Sequence, residues 1–212
     1  MDTCDSIKKK FILSHIQKKN IRECTSSKFV QDVRRTIELQ AVQFRCNKDT
    51  IIDGLSTSEF DDAWYVKYYE PIIFDKKYDG RSQIDIVIDI LSENPTTRQA
   101  MLCMTGDAEY SRTDNGMICT NTMQFLYTPE TNTLQYIVYM RSNDVARFPQ
   151  DLQWHYKIRN YVMEKVCENW GIENVNYEQI IWNCASFHIY EDDWHLLKPE
   201  GHSENWYLVK NF

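Results

Sequence analysis

Two apolar runs, "MICTNTMQFLY" and "LQYIVYM", stand on either side of "TPETNT", and a helical pattern follows within a dozen residues. Proline, acid and asparagines between the runs suit a turn joining antiparallel strands. The stretch from Asp151 to Trp170 then reads as one long helix, stopped by Gly171. A hairpin followed at once by a long helix commits the chain to sheet and helix packed in layers.

The other segments fit such layers. "RRTIELQAVQFRC" is rich in strand formers and loosely alternating. "STSEFDDAWYVKYYE" offers Ser56 or Ser58 as a cap, acids in the first turn and then aromatics, which is a helix signal. Apolar residues recur at Ile84, Val87, Ile88 and Leu91 with helical spacing, and "SENP" ends that run. "QAMLCM" and "IIWNCASFHIY" read as strands, and the lysine-rich start through Asn20 as a helix with Phe11, Ile12 and His15 on one side. No βαβ rhythm, repeat or flexible linker appears, so the expectation is one α+β domain over residues 1–212.

Composition narrows the function. A chain of 212 residues can bury one sizeable core. A formal net charge of -7 argues against general attraction to nucleic acid or an anionic membrane, so any phosphate needs a local pocket. No apolar run approaches a membrane span, and the seven cysteines are scattered without a CxxC. These features predict a cytoplasmic protein without a structural zinc or other metal.

One stretch, "MRSNDVARFPQDL", stands out just beyond the second hairpin strand. Arg141 and Ser142 offer a planar charged fork and a hydroxyl, a combination suited to a phosphate monoester. Strand pairing would bring Cys119 near that arginine. The plainer reading is an Arg141–Asp144 ion pair at a strand end.

"TTRQAML", "ICTNTMQF", "YMRSNDV", "FPQDL" and "FHIY" occur in that order, and the ordered set resembles the thymidylate synthase superfamily from Thr96 to Tyr190. The resemblance implies a thymidylate synthase-like α+β fold: a central, mostly antiparallel or mixed sheet flanked by helices, and a homodimer formed across the sheet. It also implies folate-dependent one-carbon transfer, with methylenetetrahydrofolate as co-substrate, to C5 of a pyrimidine nucleoside monophosphate. Cys119 resembles the nucleophile that adds to C6. Sulfur suits that role, because a thiolate is strongly nucleophilic near neutral pH and still leaves easily.

By the same match Arg141 and Ser142 look like phosphate ligands, Arg98 resembles an arginine reaching the neighbouring subunit's phosphate, and Arg35 is a further candidate. His188 and Tyr190 resemble the pair that holds the sugar 3'-hydroxyl, Gln124 a glutamine that orders the site, and Asp144 the aspartate that meets the folate pterin. Asp61 falls in the place of a glutamate that helps organise water, with Glu59 as alternative, and Trp64 resembles its neighbouring tryptophan.

Asp151 stands where thymidylate synthases carry an asparagine that reads uracil. An aspartate can accept from cytosine's amino group, so the resemblance points to a deoxycytidylate or cytidylate hydroxymethylase. As a residue before a helical run, Asp151 is equally an N-cap. Three alternatives stay open. One is a thymidylate synthase or hydroxymethylase acting on deoxyuridylate. Another is a non-catalytic nucleotide sensor, motivated by Thr120 where the family has histidine and by a missing loop glycine. The third is an unrelated thiol enzyme built on Cys119 and His188.

Overall fold

The computed structural model describes residues 21–25, 33–47, 63–104, 118–176 and 179–197. Among these residues seven strands form one sheet: β1 Ile21–Thr25, β2 Val33–Asn47, β3 Met101–Cys103, β4 Thr120–Thr128, β5 Thr133–Met140, β6 Asn143–Asp144 and β7 Gln179–Tyr190. Their order is β1-β2-β7-β5-β4-β3, with β6 also against β7. All pairs are antiparallel except β5 with β7 and β6 with β7. The sheet is therefore mixed, as expected.

The hairpin forms where the turn chemistry places it. A short 3-10 turn, Pro129–Thr131, begins with proline and ends at Asn132, whose left-handed backbone (φ 49°) reverses the chain. Tyr127 Oη donates to Asn132 Oδ1 at 3.0 Å, fastening strand to turn. Along β5, Leu134, Tyr136, Val138 and Met140 are buried while Gln135, Ile137 and Tyr139 are not, the period of two of a sheet with one covered face.

Four helices accompany the sheet among the described residues: α1 Ala63–Tyr68, α2 Glu70–Phe74, α3 Gln83–Glu93 and α4 Phe148–Trp170. The caps proposed at Ser56 and Ser58, and the helix expected through Asn20, lie outside the described residues. α1 and α2 are separated by a turn at Tyr69, where Pro71 opens the second helix. In α3 the predicted face Ile84, Val87, Ile88 and Leu91 is buried. Its start is a reciprocal cap: Ser82 Oγ accepts from Asp85 N at 3.2 Å, and Asp85 Oδ2 accepts from Ser82 N at 3.1 Å.

α4 begins at Phe148, three residues before the expected start, because Pro149 fits the first helical turn, where no N–H is needed. Asp151 is therefore inside the first turn, not at the N-cap, and its carboxylate is used elsewhere. Gly171, at φ 66°, closes the helix with its N–H on the Cys167 and Glu168 carbonyls. α4 covers one face of the sheet, with the Phe148 and His155 rings 5.3 and 5.0 Å from Trp182 of β7. The opposite face, carrying Met101, Gln124, Ile137, Tyr139 and Ile181, is half-buried or exposed.

Candidate active site

Cys119 lies immediately before β4, where the ladder to β5 slips between Thr120 and Thr122. Arg141 leaves the end of β5 beside it. Its backbone N–H donates to the Cys119 carbonyl at 2.9 Å, Nε donates to the Ile118 carbonyl at 3.2 Å, and Nη2 lies 3.9 Å from Cys119 Sγ. Strand pairing thus unites the thiol and the guanidinium. Burial nevertheless pushes the Cys119 thiol up, outweighing the lowering by Arg141, and the Asp151 and Asp144 charges add to the rise. The arginine favours the charged form of the thiol, but it does not by itself make a thiolate.

Asp151 faces the same cluster. Tyr65 Oη donates to its Oδ1 at 2.7 Å and Asn143 Nδ2 donates to its Oδ2 at 2.6 Å. Burial pushes the carboxyl up to about 6, despite both hydrogen bonds. Asn143 is 1% exposed, and its Oδ1 is buried without a hydrogen-bond partner.

Next to it, Asp144 Oδ1 accepts from Ala146 N at 2.9 Å, and burial raises that carboxyl as well. Asp144 and His188 are register partners between β6 and β7. The His188 carbonyl accepts from Val145 N at 2.7 Å, its Nδ1 lies 3.3 Å from Ser186 Oγ, and burial lowers its pKa. Tyr190 sets its ring edge-to-face on His188 at 5.0 Å.

Four members of this cluster escaped the sequence reading. Tyr65 and Tyr69, four residues apart on consecutive helical turns, share one face. Tyr65 stacks on Trp154 at 5.6 Å and 15°, while Tyr69 meets the same ring edge-on at 4.9 Å. The Tyr65 hydroxyl serves Asp151, and the Tyr69 hydroxyl lies towards Cys119 and Thr120, with burial raising its pKa. Thr120 Oγ1 also lies 3.2 Å from His155 Nε2, whose Nδ1 is 2.9 Å from Tyr136 Oη. Burial pushes His155 down to about 3, so its ring is neutral. Asn143 completes the set. The available signal was Tyr rather than Phe at a core spacing, since a buried hydroxyl needs a partner.

The family model for thymidylate synthase matches residues 14–204, nearly the whole chain. The chain belongs to the thymidylate synthase family. Members use methylenetetrahydrofolate to transfer one carbon to C5 of a pyrimidine nucleoside monophosphate. The fold is similar to that of thermostable thymidylate synthase A from Bacillus subtilis, with a TM-score of 0.60 and 16% identity over 92% of this chain and 83% of that one. No curated protein matches the sequence.

The thymidylate synthase motifs converge only in part. Cys119, Arg141, Asp144, Asp151 and His188 form the cluster, with half-buried Ser142 following Arg141 and Tyr190 against His188. Gln124 points to the other face of the sheet, between buried Met123 and Phe125, and its Nε2 donates to the Arg98 carbonyl at 3.0 Å. Arg98 itself is exposed ahead of β3.

Arg35 pairs with Glu191 at 3.2 Å and lies over the Trp194 ring at 5.2 Å, an engagement apart from Arg141. Trp64 is 44% exposed and touches Tyr68, with ring centroids 4.3 Å apart. Asp61 and Glu59 lie outside the described residues. Among the described residues, no group of three or more His, Cys, Asp or Glu could hold a metal, and no helix is long and apolar enough to cross a membrane.

Proposed function

We propose that this family member hydroxymethylates C5 of deoxycytidylate, through a covalent bond between Cys119 sulfur and C6 of the base. The observation that carries the reading is Asp151: an ionisable carboxyl, half-buried within the electrostatic reach of the thiol, where a base-reading amide would serve uracil. A carboxyl beside cytosine can accept from the amino group and, when protonated, donate to the ring nitrogen. Mismatched polarity at such a buried contact costs about 1–3 kcal/mol per unpaired group, enough to select a base.

The remaining roles follow from donor and acceptor chemistry. Arg141 and Ser142 take the phosphate. Because Arg141 also touches the sulfur, phosphate binding and thiol positioning share one side chain. His188 and Tyr190 take the sugar 3'-hydroxyl.

Methylenetetrahydrofolate supplies the one-carbon unit when bound. The residues suit such a molecule in kind, since Asp144 spends one oxygen on Ala146 N and keeps the other for an N–H of a pterin, while Trp64 offers an open ring face. Asp61 is assigned to place the water that makes the product hydroxymethyl rather than methyl. A second copy of the chain on the open sheet face is the natural partner. Arg98 borders that face through its contact with Gln124, so a homodimer would carry it towards the other site.

The thiol held above its ordinary range, together with Thr120 beside it, favours a second reading: a nucleotide-binding homologue without turnover. One experiment separates the readings. Purified protein is given methylenetetrahydrofolate with deoxycytidylate, cytidylate or deoxyuridylate, and products are read by mass spectrometry. A gain of CH2O on deoxycytidylate, absent in Cys119→Ser although that variant still binds nucleotide, supports the hydroxymethylase. A methyl gain on deoxyuridylate refutes it, and binding without any product moves the conclusion to the sensor.

A further inference from the structure

Asp151 is held by an arrangement that the thiol chemistry does not require. Each carboxylate oxygen receives one donated hydrogen bond, from Tyr65 on Oδ1 and from Asn143 on Oδ2. Both contacts are short, as expected of bonds to a charged acceptor.

The Asn143 amide shows which side of this arrangement dominates. With Nδ2 on Asp151, its Oδ1 is left buried and unpaired, a state proteins rarely tolerate. The bond to the carboxylate therefore sets the orientation of the amide. Tyr65 is equally constrained: its ring is fixed between Trp154 and Tyr69, and burial beside Asp151 keeps its hydroxyl protonated. Its hydroxyl proton is therefore available to donate to Asp151.

We infer that Tyr65 and Asn143 are positioning residues for base reading, which cap one lone pair on each oxygen of Asp151 and leave the other lone pair of each oxygen for the nucleotide. The inference rests on the proposed base-reading role of Asp151 and adds how that role is enforced. As long as Tyr65 and Asn143 donate to the protein-facing lone pairs, a proton gained by Asp151 sits on a ligand-facing lone pair. It is directed at the ligand. The clamp also sets how readily that proton is taken up, because both donated bonds favour the charged form.

The other groups around the carboxyl act through charge or desolvation. Asp144 opposes its ionisation, Arg147 at the head of α4 favours it, Asp151 in turn raises the Cys119 and Cys184 thiols, and Tyr69, in the turn after α1, packs on the Tyr65 ring. None of these is a direct donor to Asp151 in the described contacts.

The test uses Tyr65→Phe, which removes one oxygen and keeps the stacked ring, and Asn143→Ala as an independent second variant. Asp151 is titrated by carbon-13 NMR of its carboxyl in nucleotide-free protein, and kcat/KM on deoxycytidylate is followed against pH. Loss of either donor is expected to raise the Asp151 midpoint by about one pH unit, the equivalent of a hydrogen bond to a charged group. The limb of the pH profile that Asp151→Asn abolishes should move by the same amount and in the same direction.

A purely structural role would lower kcat/KM and leave both the midpoint and the limb in place, which overturns the inference. Wild-type protein that turns over none of the nucleotides overturns the functional reading instead, and the base-reading role of the clamp with it.

Discussion

Asp151→Asn should make the protein more stable at alkaline pH, by an amount that vanishes in acid. In the folded state burial moves the carboxyl from 3.8 to about 6. Each pH unit of displacement corresponds to 1.36 kcal/mol, so the charged form is disfavoured by about 3 kcal/mol on folding. The sign follows from proton counts. Between 3.8 and 6 the folded state binds more protons at this site than the unfolded chain, so this contribution to stability falls as pH rises through that window and stays lost above it. Asparagine cannot ionise and is spared the penalty.

The new amide can also be accommodated, since its oxygen still accepts from Tyr65 while the Asn143 amide can turn its unpaired Oδ1 towards the new NH2. Urea unfolding of wild type and variant at pH 8 and pH 4 measures the effect. The variant's stability relative to wild type should be more favourable at pH 8 than at pH 4 by about 2.5 kcal/mol, the difference between linkage of about 3 and about 0.5 kcal/mol. A relative stability that does not change with pH refutes the buried, ionised Asp151 on which this reasoning depends. A gain of this kind, bought by disabling a candidate site, is the usual trade between stability and activity.

Two further perturbations test the scaffold. His155 is buried neutral with its pKa pushed down to about 3, so the unfolded chain binds the extra proton as pH falls below 6.5. Stability should decline by about 3 kcal/mol between pH 7 and pH 4 on this account, and His155→Gln should flatten that slope in the same urea titration. Ser82→Ala removes half of the reciprocal cap on α3 and should lower stability by about 1 kcal/mol at pH 7, with the Asp85 carboxyl rising towards its ordinary value in an NMR titration.

Local chemistry was legible in the sequence where it is repeated or directional. The spacing of Ile84, Val87, Ile88 and Leu91 marks the buried face of α3, and Pro129 to Asn132 marks the hairpin turn, because each depends only on neighbours along the chain. The start of α4 was misplaced because Pro149 reads as a break when taken alone, although a first helical turn accommodates it. β6, only two residues long, carries no periodic signal.

At the site, the ordered motifs drew attention to Cys119, Arg141, Asp144, Asp151 and His188. They did not reveal Tyr65, Asn143 or His155, whose partners are distant in sequence and whose surroundings resemble ordinary core. Gln124 shows the converse. Its place in a motif suggested a role at the site, yet strand alternation directs it to the other face of the sheet.

The position of β7 has a consequence for how the molecule comes into being. This strand is near the end of the described chain and yet central in the sheet, joining β2 on one edge to β5 on the other: Thr36 pairs with Tyr190, and Tyr136 with Ile180. Until it arrives, the hairpin of β4 and β5 and the ribbon of β1 and β2 have no common backbone ladder. Such distant pairings are slow to form, because a long loop must close before any contact rewards it. A chain emerging from the ribosome would therefore hold Cys119, Arg141 and Asp151 in sequence long before His188 could join them, and two open strand edges would wait in the meantime for the same late segment.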